Sequence, residues 1–542
     1  MRSGVKILLV YPAFPMTYWG FQLSLRLIGK RATLPPLGLV TLAAALPSSW
    51  TLRLVDLNVE ELTDGDIRWA DAVLTGGMLV QSDSLHEVVR RAKAHGRPVV
   101  AGGPGPSTSP DAFAEADVVF CGEIEGRTAE LVAALEDPES GSRKLEPQPG
   151  TYPELTNVRV PRYDLLDRSQ YCSLSLQYSR GCPFKCEFCD IIELYGRRPR
   201  VKSTSQVLAE LDELHRLGYR GSLFIVDDNF IGNRTAVREL LPALTQWQRE
   251  HDRPFDFYTE ASVNLASDLR LVRAMVEAGF TSVFLGIETP SRTALAAAGK
   301  SQNLKLDLSE AVDLLTREGL EVMGGFIVGF DGDDSGIFDA QRELIGSAPI
   351  ALAMVGVLQA MPGTALWRRL DKEGRLRKDS AGDQFGRPNF LPAMGERELL
   401  EGYRDLLRDL YRPEAYYRRC QAYVERAGRQ RTSGGKGLFD MLAVVRAVLH
   451  VGIVSDHRRL FWRLIGKVFS QAPHTLRRAI VHVVQGEHLI RYTQQTVLPR
   501  LQAAIDEIDR ERQERPVGPG LAAIRAQSTD LLSTPALAAG AD

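Results

Sequence analysis

Short β-branched apolar runs alternate with helix-period segments over the first 125 or so residues. VKILLVYP (5–12), TLRLVDLN (51–58), DAVLTG (71–76), PVVA (98–101) and ADVVF (116–120) read as strands, and LGLVTLAAAL (37–46) and SLHEVVRRAKAHG (84–96) as helices between them. This alternation predicts a parallel sheet covered on both faces, a five-stranded, flavodoxin-like (Rossmann-like) α/β domain over 1–135. Loop signals follow the strands: Pro12 after the first, Gly76-Gly77-Met78 after the third, Gly102-Gly103-Pro104-Gly105 after the fourth and Gly122-Glu123 after the fifth. In such sheets ligands bind beyond the carboxyl ends of the strands, where glycine lets backbone approach a ligand. Tight turns alone would account for the same glycines about equally well.

Residues 136–165 are polar and proline-rich and read as a linker. A second alternating series follows, with strands at 173–179, 222–228, 255–261, 282–288, 322–330 and 351–359 and helical patterns such as 205–218 and 269–279 between them. Six β/α units over 166–370 predict a barrel or partial (β/α)6 barrel whose working end is the carboxyl end of its strands. Those ends carry Asp227, Asp228, Glu260 and Glu288, too many acids at equivalent places to be solvated charge alone, although one or two would serve as helix caps.

From 371 to 515 the alternation gives way to charged helical patterns, and 516–542 reads as a poorly ordered tail. The chain as a whole has a net charge of −2, which gives no electrostatic case for a nucleic-acid partner. Within it, 412–478 holds 14 Lys/Arg against 4 Asp/Glu, a local excess of +10. LFDMLAVVRAVLHVGIV (438–454) is apolar but broken by Asp440, Arg446 and His450, the pattern of an amphipathic rather than a spanning helix. A buried helix with a solvated basic face explains it slightly better than a membrane contact.

Six cysteines in 542 residues are too sparse for a disulfide-stapled scaffold, and the N-terminal pattern is not that of a signal peptide. A reducing, cytoplasmic setting is expected. Cys121, Cys172 and Cys420 are scattered and read as buried small hydrophobes. Cys182, Cys186 and Cys189 fall instead in SRGCPFKCEFCD, a C-x3-C-x2-C loop directly after the first strand of the second series. Structural zinc takes four ligands, and the closest downstream histidine is His215. Three thiolates on one loop suit a four-iron cluster whose fourth iron is left open to a cofactor or substrate.

This motif, with Phe188 before the third cysteine and in a six-unit β/α series, resembles that of the radical S-adenosylmethionine superfamily. The resemblance implies that Cys182, Cys186 and Cys189 hold a [4Fe-4S] cluster and that the open iron chelates S-adenosylmethionine, whose reductive cleavage yields a radical that abstracts hydrogen from substrate. It also implies that Gly325, Ile327 and Gly329 of GFIVGFDGD lie along the adenine, and that Glu260 and Glu288 bond the ribose hydroxyls or the methionine ammonium. The family's acid three residues after the second glycine is missing: Gly332 stands there, between Asp331 and Asp333.

An α/β domain placed directly before such a barrel resembles the cobalamin-binding class of that superfamily. On this resemblance the corrin lies over the loops at Pro12, Gly76, Gly77, Met78, Gly102, Gly103, Pro104, Gly122 and Glu123. The D-x-H-x-x-G signature is absent, and neither His86 nor His95 has such a context, so a histidine ligand to cobalt is not expected. PPLGLVTLAAALP, CDIIELYGRRPR, VDDNFIGN, TEASVNLA, GIETP and GGFIVGFD together resemble the branch with the hopanoid C-2 methylase and the bacteriochlorophyll side-chain methyltransferases.

The implied reaction is C-methylation of an unactivated carbon, the methyl passing from S-adenosylmethionine through cobalamin. A low-potential electron donor such as ferredoxin or flavodoxin is the implied partner, with a small-molecule or lipid substrate. A hopanoid-like polycyclic lipid fits the branch and the basic segment, and peripheral contact with the inner face of the membrane is the matching hypothesis. A tetrapyrrole or secondary metabolite, or a cobalamin-dependent cyclisation or rearrangement, are the alternatives. A non-enzymatic zinc or iron–sulfur module is a further one. No side-chain acid or base is needed at the reacting carbon; Tyr178, Asp228 and Tyr195 are candidates for the substrate side but read better as packing groups.

Overall fold

The computed structural model describes residues 4–136, 143–378, 380, 382–430 and 444–514. The 516–542 segment, and 438–443 of the apolar segment, lie outside the described residues.

Two parallel six-stranded sheets form the body of the molecule. The first comprises β1 (Lys6–Tyr11), β2 (Thr51–Asp56), β3 (Ala72–Gly76), β4 (Val99–Gly102), β5 (Val118–Phe120) and β6 (Arg143–Leu145), in the order β2-β1-β3-β4-β5-β6. The apolar runs form strands here because both faces are covered: Ile7, Leu8, Leu9 and Val10 of β1 are all fully buried, on opposite sides by turns. The expectation of five strands is corrected by β6, which lies in the segment read as a linker and pairs with β5. Its sequence, RKL, is a half-exposed edge strand of three residues, too short and polar to leave an apolar signature.

The second sheet contains β7 (Leu174–Leu176), β10 (Gly221–Ile225), β11 (Phe255–Ala261), β12 (Phe280–Glu288), β13 (Glu321–Val328) and β14 (Ala353–Val357), each paired in parallel with its successor. These are the six strands of the partial barrel. Between β7 and β10, β8 (Ser179–Arg180) and β9 (Arg200–Val201) form a two-residue antiparallel ladder that closes the cysteine loop at its base.

The C-terminal helices complete the structure. Helix Glu396–Leu410 lies along the barrel's open edge, where the Tyr403 hydroxyl donates to the Val355 carbonyl at 2.8 Å. Helix Leu476–Tyr492 reaches the amino ends of the barrel strands through Arg478, 2.9 Å from Glu321, and through the His482–Glu321 contact. The same helix touches the loop after β1, with His488 Nε2 2.8 Å from the Thr17 carbonyl. Some of the basic excess is therefore internal: Arg419 is fully buried, donating to the carbonyls of Ile350 and Leu410. Among the described residues no helix is long and apolar enough to cross a membrane. Of the three scattered cysteines, Cys121 and Cys420 are buried. Cys172 is exposed, contrary to expectation; it lies just ahead of β7, with its backbone N–H donating to the Ala32 carbonyl at 2.9 Å.

Candidate functional site

The cysteine loop, 181–199, leaves its clasp at Gly181, whose φ is +93°. A Cβ there would stand 2.9–3.0 Å from the carbonyl oxygens of Tyr195, Gly196 and Arg198, so no other residue turns this corner without displacing backbone. The aspartates after β10 hold the strand ends and the loop. Asp227 accepts from the backbone N–H groups of Tyr178 and Ser179 at 2.7 and 2.9 Å and from the Ser179 hydroxyl at 2.7 Å. Asp228 accepts from the Gly181 N–H at 3.3 Å. Burial pushes these carboxyls up, to about 6 for Asp227 and about 7 for Asp228.

Cys182 and Cys189 each sense the charge of Cys186, which places the three sulfurs in one neighbourhood, and burial pushes the Cys182 and Cys189 thiols up. Among the described residues no three His, Cys, Asp or Glu side chains close on one point as a single metal ion requires. Two amides face the thiols: Gln302 Nε2 lies 3.6 Å from Cys186 Sγ, and Asn229 Nδ2 lies 3.9 Å from Cys182 Sγ. Three thiols, two N–H donors toward sulfur and a nearby buried ammonium are a donor set that fits an anionic iron–sulfur cluster.

That ammonium belongs to Lys300, which pairs with Glu288 at 2.5 Å. Burial works against its charge, but Glu288 and then the cysteines hold it above the ordinary lysine range. Glu288, at the end of β12, is buried with φ +65°, a left-handed conformation that a non-glycine residue adopts only when its surroundings hold it there. The β12–β13 register shifts at this point. Glu260, at the end of β11, is pushed up to about 8 by burial and then by Asp228. A ligand bringing a positive charge or hydroxyl donors would relieve this crowding of carboxyls, as the ammonium and ribose of S-adenosylmethionine would. The Gln302 Oε1 atom is buried without a partner and is a further acceptor.

Gly325 and Ile327 lie on β13 and Gly329 at its exit. Ile327 and Phe188 join one small apolar cluster with Phe330, and the Phe188 and Phe330 rings meet edge to face at 5.9 Å. The adenine segment and the cysteine loop therefore share a wall. The missing motif acid has a counterpart one residue on: Asp333 Oδ2 accepts from the N–H groups of Gly329 and Phe330 at 2.9 and 3.0 Å, while Asp331 is drawn outward by Arg369 and Arg375.

At the other sheet, the edge is built of backbone. Gly103 has φ +88°, and a Cβ on it would stand 3.2 Å from the Gly77 nitrogen. The Gly105 N–H donates to the Gly77 carbonyl at 2.8 Å, and Pro104 opens the short helix between them. Gly102 pairs with Gly76 in the β3–β4 ladder, and Met78 stands half-exposed beyond it. The Pro12 carbonyl accepts from Gln81 at 2.6 Å. His86 is held by Glu115 at 2.6 Å and His95 lies 3.4 Å from Asp64, so neither turns toward this edge. A smooth, glycine-lined edge fits a broad planar cofactor better than a charged one.

The Glu123 side chain is engaged within the protein. Its carboxylate is buried between Arg180, at 2.6 Å, and Arg200, at 2.8 Å, while Arg180 also grips both oxygens of Glu125 at 2.8 and 2.9 Å. Only the backbone of Gly122-Glu123 is left to face a ligand. This cluster locks the glycine edge to the base of the cysteine loop. Lys300, Gln302, Arg180, Arg200 and Asp333 were all missed as functional residues by sequence reasoning. Arg180 had a signal in its place beside the turn into the motif, and Asp333 in its place beside Gly332. Tyr178 is buried in the barrel, consistent with packing.

Comparison with known proteins agrees with this geometry. A B12 binding domain model matches residues 30–132, a radical SAM superfamily model 176–339, and a domain of unknown function 364–501. The chain is 40% identical over 496 residues to an uncharacterized methyltransferase of Synechocystis, covering 90% of this chain and 92% of that one. It is 35% identical over 504 residues to the hopanoid C-2 methylase of Rhodopseudomonas palustris, covering 91% and 94%. The chain belongs to the cobalamin-dependent radical S-adenosylmethionine methyltransferases. Members of this family use a [4Fe-4S] cluster, S-adenosylmethionine and cobalamin and draw on a reductant. The radical S-adenosylmethionine fold is also that of OxsB, with a TM-score of 0.57 at 14% identity over 93% of this chain and 83% of that one. TsrM from Kitasatospora setae gives 0.57 at 15% identity over 91% and 99%. The cysteine loop falls within the residues matched by the radical SAM model and the glycine edge within those matched by the B12 binding domain model.

Proposed function

We propose that this methyltransferase places a methyl group on an unactivated carbon of a hopanoid-like polycyclic lipid. The observation that carries the reading is the 35% identity to the hopanoid C-2 methylase, which runs across the sheet domain, the barrel and the C-terminal helices alike. When bound, the cluster with S-adenosylmethionine supplies one-electron chemistry that opens a carbon–hydrogen bond, and cobalamin supplies the methyl group.

The chain's own residues bind, orient and shield. Lys300, Glu288 and Glu260 present paired charges at the strand ends for the carboxylate, ammonium and hydroxyl groups of S-adenosylmethionine. Phe188, Ile327 and Phe330 close an apolar wall that keeps water from the reacting carbon. Asp228 fixes the turn into the cluster loop through the Gly181 N–H. No side chain is asked to remove a proton from carbon, which suits a saturated ring.

An apolar surface supports lipid access. Ile453, Val454, Trp462 and Phe469 are each more than half exposed, and the Trp462 indole N–H donates to the Gly452 carbonyl at 2.8 Å, which brings the two segments together. Arg458, Arg459 and Arg463 are exposed beside them. This pairing suits the interface of an anionic membrane.

Anaerobic incubation of the reconstituted enzyme with cobalamin, reductant, methyl-labelled S-adenosylmethionine and a polycyclic triterpenoid tests the reading by mass spectrometry. Label in the triterpenoid is the expected result. Label in a tetrapyrrole instead, or a rearranged product without the label, overturns it. Flotation with anionic liposomes is expected and should weaken with Trp462→Asp.

A further inference from the structure

The second sheet is a partial barrel whose edge strands, β7 and β14, do not pair with each other. The loop after β1, from the first sheet, is tied to both sides of that gap. Tyr18 stacks on Tyr411 at 5.2 Å between ring centres, and the Tyr411 hydroxyl donates to the Ala353 carbonyl at the start of β14. On the other side the Thr33 hydroxyl donates to the Gly20 carbonyl at 3.0 Å, and the Ser173 N–H, just ahead of β7, donates to the Thr33 carbonyl at 3.0 Å. The end of helix Leu476–Tyr492 holds the same loop from behind: the Tyr492 hydroxyl donates to the Met16 carbonyl at 2.6 Å, and the Tyr18 hydroxyl meets that of Thr493 at 2.6 Å. Phe21 is kept at φ +49° by these anchors.

Trp19 is the exception in this anchored loop. Its neighbours are fixed, but its own side chain is 45% exposed, and the indole meets the Phe284 ring edge to face at 4.9 Å. Phe284 lies on β12, in the middle of the second sheet, so Trp19 reaches from the gap to the facing wall. Successive side chains of a strand point to opposite faces. Val283 and Leu285, on the outer face of β12, are fully buried. Phe284, and with it Phe224, Tyr258 and Met323 on the same inner face of their strands, keep part of their surface open. A barrel interior is ordinarily filled by its own side chains. This one is hollow at the level of Phe284.

The open surface at that level is apolar. Gly325 leaves room for the Phe284 ring, since a Cβ there would stand 2.6 Å from the Phe284 Cζ atom. Glu260 stands level with Phe284 on β11 and marks where the charged edge begins. Two cations flank the apolar belt and both are engaged: Lys300 pairs with Glu288, and Arg478 with Glu321. A carboxylate-bearing ring system would have to break one of these pairs, whereas an apolar skeleton disturbs neither.

We propose that Trp19 and Phe284 form an aromatic clamp for a rigid, apolar polycyclic skeleton, and that Trp19, supplied by the first sheet, is the residue that sets this specificity. The inference rests on the polycyclic-lipid reading of the substrate. Two rings held at a fixed angle reward a ligand that arrives already rigid, because a flexible chain must be ordered before it fills the same space.

The test uses the full chain loaded with its cofactors, without reductant, and two detergent-solubilised probes: a pentacyclic triterpenoid and an acyclic triterpene of the same carbon number. Equilibrium dialysis gives the Kd of each. The parent should favour the polycycle by at least about tenfold, and Trp19→Ala should lose most of that preference through weaker binding of the polycycle. Trp19→Phe should keep most of it. Phe284→Ala should resemble Trp19→Ala, and the double variant should add little to either, since both single changes open the same clamp. A parent without preference, or a preference retained in both Trp19→Ala and Phe284→Ala, overturns the clamp alone. Loss of bound cobalamin from Trp19→Ala would assign the residue to the corrin and also overturns it. A parent that binds neither probe overturns the polycyclic-lipid reading itself, and the clamp with it.

Discussion

The two six-stranded parallel sheets present their carboxyl ends as ligand edges of opposite character. The first edge is backbone: Gly76, Gly77, Gly102 and Gly103, with Met78 beyond them. The second is charge: Asp227, Asp228, Glu260 and Glu288 around Lys300. On the proposed reading the same topology serves a broad planar cofactor by removing side chains, and S-adenosylmethionine by gathering them. Between the edges stands the cluster of Glu123, Glu125, Arg180 and Arg200, which ties one to the other.

Breaking that junction should have the largest effect. Arg180→Met strips Glu125 of its partner and leaves Glu123 with Arg200 alone, and removing one member of a buried ion network typically costs about 3–5 kcal/mol. A lowered denaturant midpoint, together with loss of retained cobalamin, is the expected outcome. A midpoint within error of the parent would show that the two edges are held together by packing instead.

The charged edge is broken alone by Lys300→Met, which leaves Glu288 buried without its counter-ion. Reductive cleavage of S-adenosylmethionine should fall by about two orders of magnitude, equivalent to roughly 3 kcal/mol of lost stabilisation. Cobalamin content, read from the visible spectrum, should stay at the parent level. Equal loss of both cofactors would erase the distinction between the edges.

The backbone edge is broken alone by Gly103→Val. A β-branched residue at φ +88° with its Cβ 3.2 Å from the Gly77 nitrogen stores about 1–3 kcal/mol of strain at the cobalamin loop. Cobalamin affinity should drop roughly tenfold, about 1.4 kcal/mol, while iron content and 5′-deoxyadenosine formation persist. Retained cobalamin affinity would move the corrin away from this loop.

The two edges also differ in how far the sequence exposes them. Cys182, Cys186 and Cys189 are legible because their spacing is local, and Glu260 and Glu288 because a parallel strand announces where it ends. The glycine edge is legible only as a position, since turn glycines and ligand glycines look alike. Lys300 follows an alanine-rich helix with nothing around it to mark function, and it becomes visible only when that loop folds back onto Glu288. Arg180 meets Glu123 and Glu125 across more than 50 residues, a pairing that depends on how two domains dock. β6 was hidden for another reason: strand pairing, not side-chain pattern, makes RKL a strand.

The smallest effect sharpens the comparison by titrating the charged edge. Burial raises the Glu260 carboxyl from an ordinary value of 4.5 to about 8, so the folded, cofactor-free chain keeps a proton that the unfolded chain has already released. Stability must therefore fall as pH rises from about 4.5 toward 8, because in that window the folded state binds more protons than the unfolded state. Glu260→Gln removes this penalty. Since neighbouring carboxyls share the burden, the gain at pH 8 should be only about 1–2 kcal/mol, shrinking toward zero near pH 5. Thermal denaturation of the cofactor-free chain at both pH values reads the difference directly. An identical change in Tm at pH 5 and pH 8 would mean that Glu260 is ionised throughout, and that the second edge already supplies the positive charge that its ligand is expected to bring.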